Sequence, residues 1–486
     1  MKDLSQILPR KTGFDLIGDP GCRLSGFTMD SRNVRAGDLF VAVKGSVLDG
    51  HAYISGAISK GAVAILCEVM SDDQIPGICY IRSDSVMDCL SEMLGIYYDD
   101  PCSKITLVGI TGTNGKTTVA TLCYELFNAL GHKSGLISTV ENKFADRIIP
   151  STHTTPDMIS LYGLLNEMVV AGCTHVFMEV SSHAVDQGRI KGLNYKLAVF
   201  TNITQDHLDY HHTFKNYIDA KKKFFDNLSR DSISLVNADD SHASIMVQNS
   251  KSIRKTFGVR NMADYKLKIL DSDLSGMHLK SGMKEWHSNL AGTFNASNLA
   301  AVLGVALELG ENEDEVIRLM SGLHSVSGRF DWIRDPDTGK VGVVDYAHTP
   351  DAVEKLIRNI QHIRRSGQRI ITVIGCGGNR DKSKRPLMGR IAVDLSDQVI
   401  LTSDNPRDEE PLDIIKDMES GISAGDQVKY LVQPDREQAI KTACLIAKDH
   451  DIIVLAGKGH EKYQEVKGVK TPFDDMQKLK TYLFKI

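Results

Sequence analysis

Gly112-Thr113-Asn114-Gly115-Lys116-Thr117-Thr118 stands between an apolar run at residues 104–110 and a stretch of helical periodicity at residues 116–130. A strand, a glycine-rich turn and a helix in that order make a phosphate site. Small residues let backbone N–H groups turn toward an anion, and the helix N-terminus adds partial positive charge. Lys116 has the reach to neutralise terminal phosphates, and the Thr117 hydroxyl suits a magnesium ion. The strict phosphate-loop pattern asks for glycine at position 110, where this chain has isoleucine. The Gly-Lys-Thr core and its strand-to-helix setting are intact.

Working outward, buried-strand candidates recur at residues 176–180, 197–201 and 232–236. Strands alternating with helices predict a parallel α/β sheet, in a central unit spanning 103–328. Upstream, short strands at 38–43, 62–67 and 77–81 alternate with helix-like stretches such as 52–60. They form a first unit, 1–102, closed by a linker at Asp99-Asp100-Pro101. Downstream, strands at 342–346, 370–375, 398–402 and 452–456 alternate with helices at 351–364 and 436–448, the latter capped by Asp435. This third unit covers 329–486. The expected fold is α/β in three domains: an N-terminal α/β domain, a central phosphate-loop ATPase domain with a mostly parallel sheet, and a C-terminal Rossmann-like doubly wound domain.

Composition narrows the function classes. A chain of 486 residues exceeds a single core. Its 57 basic and 62 acidic residues give a net charge of -5, which offers no field for nucleic acid or an anionic membrane. The nine cysteines include no CxxC pair, which favours free thiols in a reducing compartment. No run approaches about 18 apolar residues, and the first residues lack a signal-peptide core. A cytoplasmic, monomeric enzyme is expected.

Beyond the phosphate loop, Glu179 ends a buried strand in Met178-Glu179-Val180-Ser181-Ser182-His183. In α/β sheets the carboxyl ends of strands face the ligand crevice. His207 lies in Thr204-Gln205-Asp206-His207-Leu208-Asp209, just past another strand. Taken alone it reads as an ordinary surface or core histidine. Beside a phosphate loop, a carboxylate, an imidazole and a threonine hydroxyl suit Mg²⁺, which takes few protein ligands.

The ordered set of motifs resembles the Mur ligases of peptidoglycan synthesis. It comprises the phosphate loop, Glu179 through His183, Asp206 through Asp209, Gly292-Thr293-Phe294-Asn295-Ala296-Ser297-Asn298, Ser327-Gly328-Arg329-Phe330 and Asp345-Tyr346-Ala347-His348-Thr349-Pro350. The resemblance runs from Thr28-Met29-Asp30-Ser31-Arg32 to Gly457-Lys458-Gly459-His460-Glu461, nearly the whole chain. His153-Thr154-Thr155-Pro156, Gly375-Cys376-Gly377-Gly378-Asn379-Arg380-Asp381-Lys382 and Asp404-Asn405-Pro406-Arg407 resemble the members that extend UDP-N-acetylmuramoyl-L-alanyl-D-glutamate by its third amino acid.

The resemblance implies an ATP-dependent amide ligase acting through an acyl phosphate. It implies ATP contacts at Gly112, Thr113, Asn114, Gly115, Lys116, Thr117, Thr118, Asn298, Arg329 and Asp345. UDP contacts fall on Met29, Ser31, Ser46, Val47 and Leu48, and muramoyl-dipeptide contacts on His153, Thr154, Thr155, Ser181, Gln187 and Arg189. Position 153 is often asparagine in relatives. Lys221, within Ala220-Lys221-Lys222-Lys223, reads by itself as a solvated helix face; the resemblance makes it an N6-carbamoylated lysine. The implied catalytic residues are Lys116, Glu179, His207 and Lys221, and the implied magnesium ligands are Thr117, Glu179, His207 and Lys221.

For the incoming amino acid, the resemblance implies meso-2,6-diaminopimelate, with L-lysine as the rival. Diaminopimelate carries a second carboxylate, and a guanidinium forks onto a carboxylate in bidentate fashion. Arg407 supplies that group, with Arg380, Asp404, Asn405, Pro406, Gly457 and Glu461 completing the contacts. Without the motif, Arg407 reads as a surface partner of Asp408 or Glu409. A general base for the amine is open between His183 and His348. The competing readings are a folylpolyglutamate-type ligase, which shares the phosphate loop, and a nucleotide-gated binding module that does not ligate.

Overall fold

The computed structural model describes residues 2–45, 48–70, 74–151 and 153–484. The chain divides into two compact units. One comprises Met1–Gly109 with His132–Lys196, the other Ile110–Gly131 with Leu197–Ile486.

The first unit opens with a five-stranded sheet in the order Asp15–Ile17, Cys79–Arg82, Ala64–Cys67, Asp38–Ala42, Gly26–Thr28. The last four pair in parallel, and Asp15–Ile17 runs antiparallel at one edge. Successive side chains of a strand face opposite sides. Leu39, Val41, Ala64 and Leu66 share a core with Leu90 and Met93 of helix Val86–Tyr97. Phe40, Ala42, Ile65 and Cys67 share the opposite core with Ile54 and Ala57 of helix Ile54–Ser59. Cover on both faces is why these strands read as unbroken apolar runs.

Two local expectations change here. Residues 52–60 are not one helix. A 3₁₀ turn, Gly50–Tyr53, precedes helix Ile54–Ser59, because the Asp49 carboxylate accepts the His51 N–H and caps a tighter first turn. The segment read as a linker has Asp99 and Asp100 at φ 54° and 46°, leading into the 3₁₀ turn Pro101–Lys104. The same unit holds strands Ser134–Ile137 and His175–Glu179 in parallel, extended by the antiparallel strands Glu141–Phe144 and Arg147–Pro150.

In the second unit, strands Leu197–Phe200, Ile233–Asn237, Ile253–Gly258 and Tyr265–Asp273 pair in parallel. An antiparallel hairpin, Gly276–Ser281 with Lys284–Ser288, continues the sheet. Helix Lys116–Ala129 begins at the phosphate loop, and the largely buried helix Thr293–Glu308 packs against it.

The C-terminal sheet has six strands in the order Asp331–Arg334, Val341–Asp345, Ile452–Ala456, Ile370–Cys376, Gln398–Ser403, Tyr430–Val432. Only the first pair is antiparallel. Val343, Ile370, Val399 and Val454 pack with helices Pro350–Ile363, Lys384–Leu395 and Pro411–Glu419. Val344, Ile371, Ile400 and Ile453 pack with helices Arg436–Ile446 and Asp475–Leu483. This is the doubly wound arrangement expected. All nine cysteines are free, and among the described residues no helix is long and apolar enough to cross a membrane.

Candidate active site

The phosphate loop is held from the next strand end. Gly112 sits at φ 147°, and a Cβ there would lie 2.0 Å from the Thr201 hydroxyl oxygen. Gly115 sits at φ 87°, where a Cβ would lie 2.6 Å from Asn298 Oδ1. Both glycines are needed for close approach as well as for backbone conformation. The Asn114 N–H donates to Asn202 Oδ1 (3.0 Å), while Asn202 Nδ2 and the Thr201 hydroxyl donate to the Asn114 carbonyl (3.0 and 2.6 Å). Thr201 and Asn202 thus hold the loop open from outside, a role no local motif announces. Asp351 adds to it, accepting from Asn114 Nδ2 and the Thr204 hydroxyl, each at 3.2 Å.

Lys116 Nζ donates to the carbonyls of Gly112 and Thr113, both at 2.9 Å, so its ammonium lies across the loop. Lys221, on helix Phe214–Asp226, is buried and donates to the same Gly112 carbonyl at 2.8 Å. Its ammonium lies 4.7 Å from the centre of the Tyr217 ring. Burial, reinforced by the Lys116 charge, holds its pKa well below the usual lysine range. Lys222 instead pairs with Asp226 at 2.6 Å, and Lys223 is exposed. The solvated-face reading therefore fits Lys223 and not Lys221.

His207 is at φ 54°, with its N–H on Asp206 Oδ1 at 2.9 Å and Nε2 3.5 Å from Oδ2. Burial alone would raise the Asp206 carboxyl, but His207, His348 and Lys384 outweigh it and the pKa is lowered. His348 Nδ1 contacts the Tyr346 carbonyl at 2.8 Å. A carbonyl only accepts, so Nδ1 carries the proton and Nε2 bears the ring lone pair. Burial lowers the His348 pKa, which keeps the imidazole neutral at pH 7.

Arg329 Nη2 donates to the Thr117 hydroxyl at 3.2 Å, and its guanidinium lies 4.4 Å from the centre of the Tyr346 ring. Asp345 accepts the Phe330 N–H at 2.7 Å, and burial raises its pKa against the pull of Arg329. Asn298 Nδ2 donates to Asn295 Oδ1 at 3.0 Å. The ATP residues expected from both sides of position 328 are therefore in contact within this unit.

At the carboxyl ends of strands Gln398–Ser403 and Ile452–Ala456, Asn405 Nδ2 donates to Glu461 Oε2 at 2.7 Å. Arg407, at φ 52°, donates from Nη1 to the Gly378 carbonyl at 2.7 Å and has Nε 3.6 Å from Glu465. Its backbone N–H and C=O are bonded to Glu465 and Lys467. The surface partners considered for it are engaged elsewhere. Asp408 accepts from Asn379 Nδ2, and Glu409 accepts from Arg385. Gly457, at φ 116°, is where a Cβ would lie 2.5 Å from Asp404 Oδ2. Beyond burial, which raises it, the Asp404 carboxyl feels Lys458 and Arg436 pulling it down.

In the first unit, Glu179 is buried at its strand end and accepts the Thr139 N–H (2.8 Å) and hydroxyl (3.1 Å). The same hydroxyl is 3.1 Å from that of Thr154. Thr155 donates to the Glu179 carbonyl at 2.8 Å and accepts the Ser181 N–H at 3.1 Å. Arg189 donates to the Thr155 carbonyl at 2.9 Å and to Gln187 Oε1 at 2.8 Å. Five expected dipeptide contacts thus form one network with Glu179. The His153 carbonyl accepts from the Ser151 hydroxyl at 2.7 Å. Ser31 offers its carbonyl to Lys60, Met29 packs on the sheet core, and Leu48 is exposed. Ser46 and Val47 lie outside the described residues. Among the described residues, no three His, Cys, Asp or Glu side chains gather around a metal-sized space.

Residues 23–93 match the Mur ligase family, catalytic domain; residues 110–306 the Mur ligase middle domain; and residues 328–459 the Mur ligase, glutamate ligase domain. The chain is 51% identical over 466 residues to UDP-N-acetylmuramoyl-L-alanyl-D-glutamate–2,6-diaminopimelate ligase of Parabacteroides distasonis, covering 96% of each. It is 49% identical over 477 residues to the ligase of that name from Bacteroides thetaiotaomicron, covering 98% of this chain and 99% of the relative. A solved structure of a ligase of that name superposes with a TM-score of 0.67 at 33% identity, over 95% and 94% of the two chains. Mycobacterium tuberculosis folylpolyglutamate synthase shares the fold at a TM-score of 0.60 and 16% identity, but over 75% of this chain and 91% of its own.

Proposed function

The chain belongs to the Mur ligase family, and on that premise we propose that it joins 2,6-diaminopimelate to UDP-N-acetylmuramoyl-L-alanyl-D-glutamate at the expense of ATP. This is an amide ligation of peptidoglycan synthesis, with the meso isomer as the amino acid. The observation that carries the choice of amino acid is Arg407. Its guanidinium donates to the Gly378 carbonyl with Nε 3.6 Å from Glu465, and the neighbouring carboxylates of Asp408 and Glu409 are engaged by Asn379 and Arg385 instead.

The D-glutamyl carboxylate attacks the γ-phosphoryl group of ATP, the bond to the β–γ bridging oxygen breaks and ADP leaves, giving the acyl phosphate, and Lys116 neutralises charge that develops on the transferring oxygens. The amine of diaminopimelate then attacks the acyl phosphate, and phosphate leaves from the tetrahedral intermediate. His348 Nε2 is the lone pair suited to take the amine proton. Asn298, Arg329 and Asp345 hold the nucleotide. Thr154, Thr155, Ser181, Gln187 and Arg189 hold the dipeptide, and Met29, Ser31 and Leu48 hold UDP.

Mg²⁺ would supply charge neutralisation at the phosphates. The donor set suits it once Lys221 is carbamoylated. Burial depresses the pKa of this amine and so favours its neutral form, the form that adds CO₂, and the carbamate is an oxygen ligand of the kind Mg²⁺ takes. Thr117, Glu179, His207 and Lys221 are the ligands of this reading.

Mass spectrometry of the product formed from ATP, the UDP-muramoyl dipeptide and a panel of amino acids tests the whole. A product heavier by one diaminopimelate residue is expected. A lysine product, or ATP hydrolysis without ligation, would overturn it.

A further inference from the structure

We propose that Lys458 is a positioning residue for amino-acid selection: its buried ammonium fixes which way Asn405 and Glu461 face. The inference rests on the reading that these two residues receive the distal end of diaminopimelate. Lys458 follows strand Ile452–Ala456 in the Gly457-Lys458-Gly459-His460-Glu461 turn, and its side chain is 0% exposed.

Its ammonium donates to Asn405 Oδ1 and to Glu461 Oε2, both at 3.0 Å, and lies 3.9 Å from Asp404 Oδ1. The Tyr463 ring stands 5.7 Å away on another side. The group is thus enclosed by protein and acts on substrate through its neighbours.

The consequence for Asn405 is a fixed amide. Oδ1 receives Lys458 Nζ and the Glu465 N–H (2.9 Å), and neither donor can be reversed. Nδ2 must then face Glu461, whose Oε2 it reaches at 2.7 Å. Glu461 Oε2 is in turn occupied by two donors, from Asn405 and Lys458. Among the described residues, Oε1 receives no hydrogen bond, so it is the oxygen turned to a substrate ammonium.

Without Lys458, Glu461 keeps only the Asn405 amide and Asn405 Oδ1 keeps only the Glu465 N–H, and the carboxylates of Asp404 and Glu461 lose the cation they share. Arg436, the other cation that acts on Asp404, is committed to Asp475 in a fully buried pair. An ammonium taken wholly out of water is costly unless its partners need it. Here all three polar neighbours, Asp404, Asn405 and Glu461, are residues expected to read the amino acid.

The test is steady-state kinetics of the full chain carrying Lys458→Met, Glu461→Gln or Asn405→Ala. Lys458→Met should raise KM for diaminopimelate at least about tenfold and erode its preference over L-lysine, with KM for ATP and for the UDP-substrate within about twofold of wild type. If Glu461→Gln raises that KM and Lys458→Met does not, the inference falls and the site reading stands. If Glu461→Gln and Asn405→Ala both leave KM unchanged, the site reading falls and takes the inference with it. A lower melting temperature with kcat reduced and KM unchanged would mark a merely structural lysine, and also overturns the proposal.

Should Lys458→Met fail to fold, the charge-neutral double variant with Glu461→Gln supplies the readout. Its KM for diaminopimelate should fall within about threefold of Glu461→Gln alone, because the contact Lys458 orients is already gone. A further rise of about tenfold or more would show Lys458 acting independently of Glu461, against the proposal.

Discussion

Lys116 and Lys221 donate to one carbonyl oxygen, that of Gly112, at 2.9 and 2.8 Å. Two ammonium groups so close repel each other, and the buried one yields. Desolvation, reinforced by the Lys116 charge, depresses the Lys221 pKa. One loop carbonyl thus serves a half-buried lysine and a buried one.

Lys116→Ala is expected to abolish ligation in a protein that still folds. The side chain is half-buried at the phosphate loop, where its ammonium donates to the Gly112 and Thr113 carbonyls, and it fills no position in an apolar core. Circular dichroism and melting should match wild type while product formation falls by at least about a thousandfold, the scale of a lost charge stabiliser at a transferring group. A folded variant with near-normal turnover would remove Lys116 from the chemistry.

Lys221→Ala should be nearly inactive and partly rescued by small carboxylates such as acetate, which can stand where the carbamate oxygens would. Lys222→Ala should be mild, since Lys222 pairs with Asp226 on its own helix. Native mass spectrometry under CO₂ should show a mass increase in wild type that Lys221→Ala lacks. An active wild type bearing only the free amine would rule the modification out.

Arg407→Ala should lower discrimination between diaminopimelate and L-lysine by at least about tenfold, the worth of one charge-assisted contact in a closed site. The measurement is a competition assay with both amino acids. Undiminished preference in the variant would sink the arginine as selector; a wild type that favours lysine would sink the assignment itself.

Glu409 gives a pH prediction. Hydrogen bonds from Arg385 hold its carboxyl down at about 2, against an ordinary 4.5. A carboxyl depressed by folding stabilises above its unfolded value, and that stabilisation is lost as pH falls through the folded one. Glu409→Gln should therefore melt lower than wild type near pH 7, with the gap closing between pH 4.5 and about 2. A gap of constant size across that window would exclude the linkage.

Much of this was legible in the sequence because it is periodic or local. Runs such as residues 370–375 and 452–456 read as buried strands because helices cover both faces of their sheet. Asp435 read as a cap because a cap is a neighbour-range event, and its carboxylate accepts the Gln438 N–H. Lys221 was not separable from Lys222 and Lys223 on physics alone; only the tertiary packing buries one of the three. The roles of Thr201, Asn202 and Asp351 at the loop were not legible, and Lys458 stood inside a quoted motif with no role attached. Their partners Asn114 and Asn405 lie far along the chain, and hydrogen bonds of that range are set by how strands end beside one another.

The backbone at position 407 is tied on both sides to residues 465 and 467. Two residues on, Glu409 is clamped by Arg385, which is itself braced by Asp417. The backbone of the segment is therefore anchored by more than the side chain that Arg407 presents. On the reading proposed above, a lineage changing the amino acid it adds to its cell wall exchanges a side chain here and can keep the backbone ties of the loop. Selectivity read in this way is open to evolution in single steps, each passing through a folded protein.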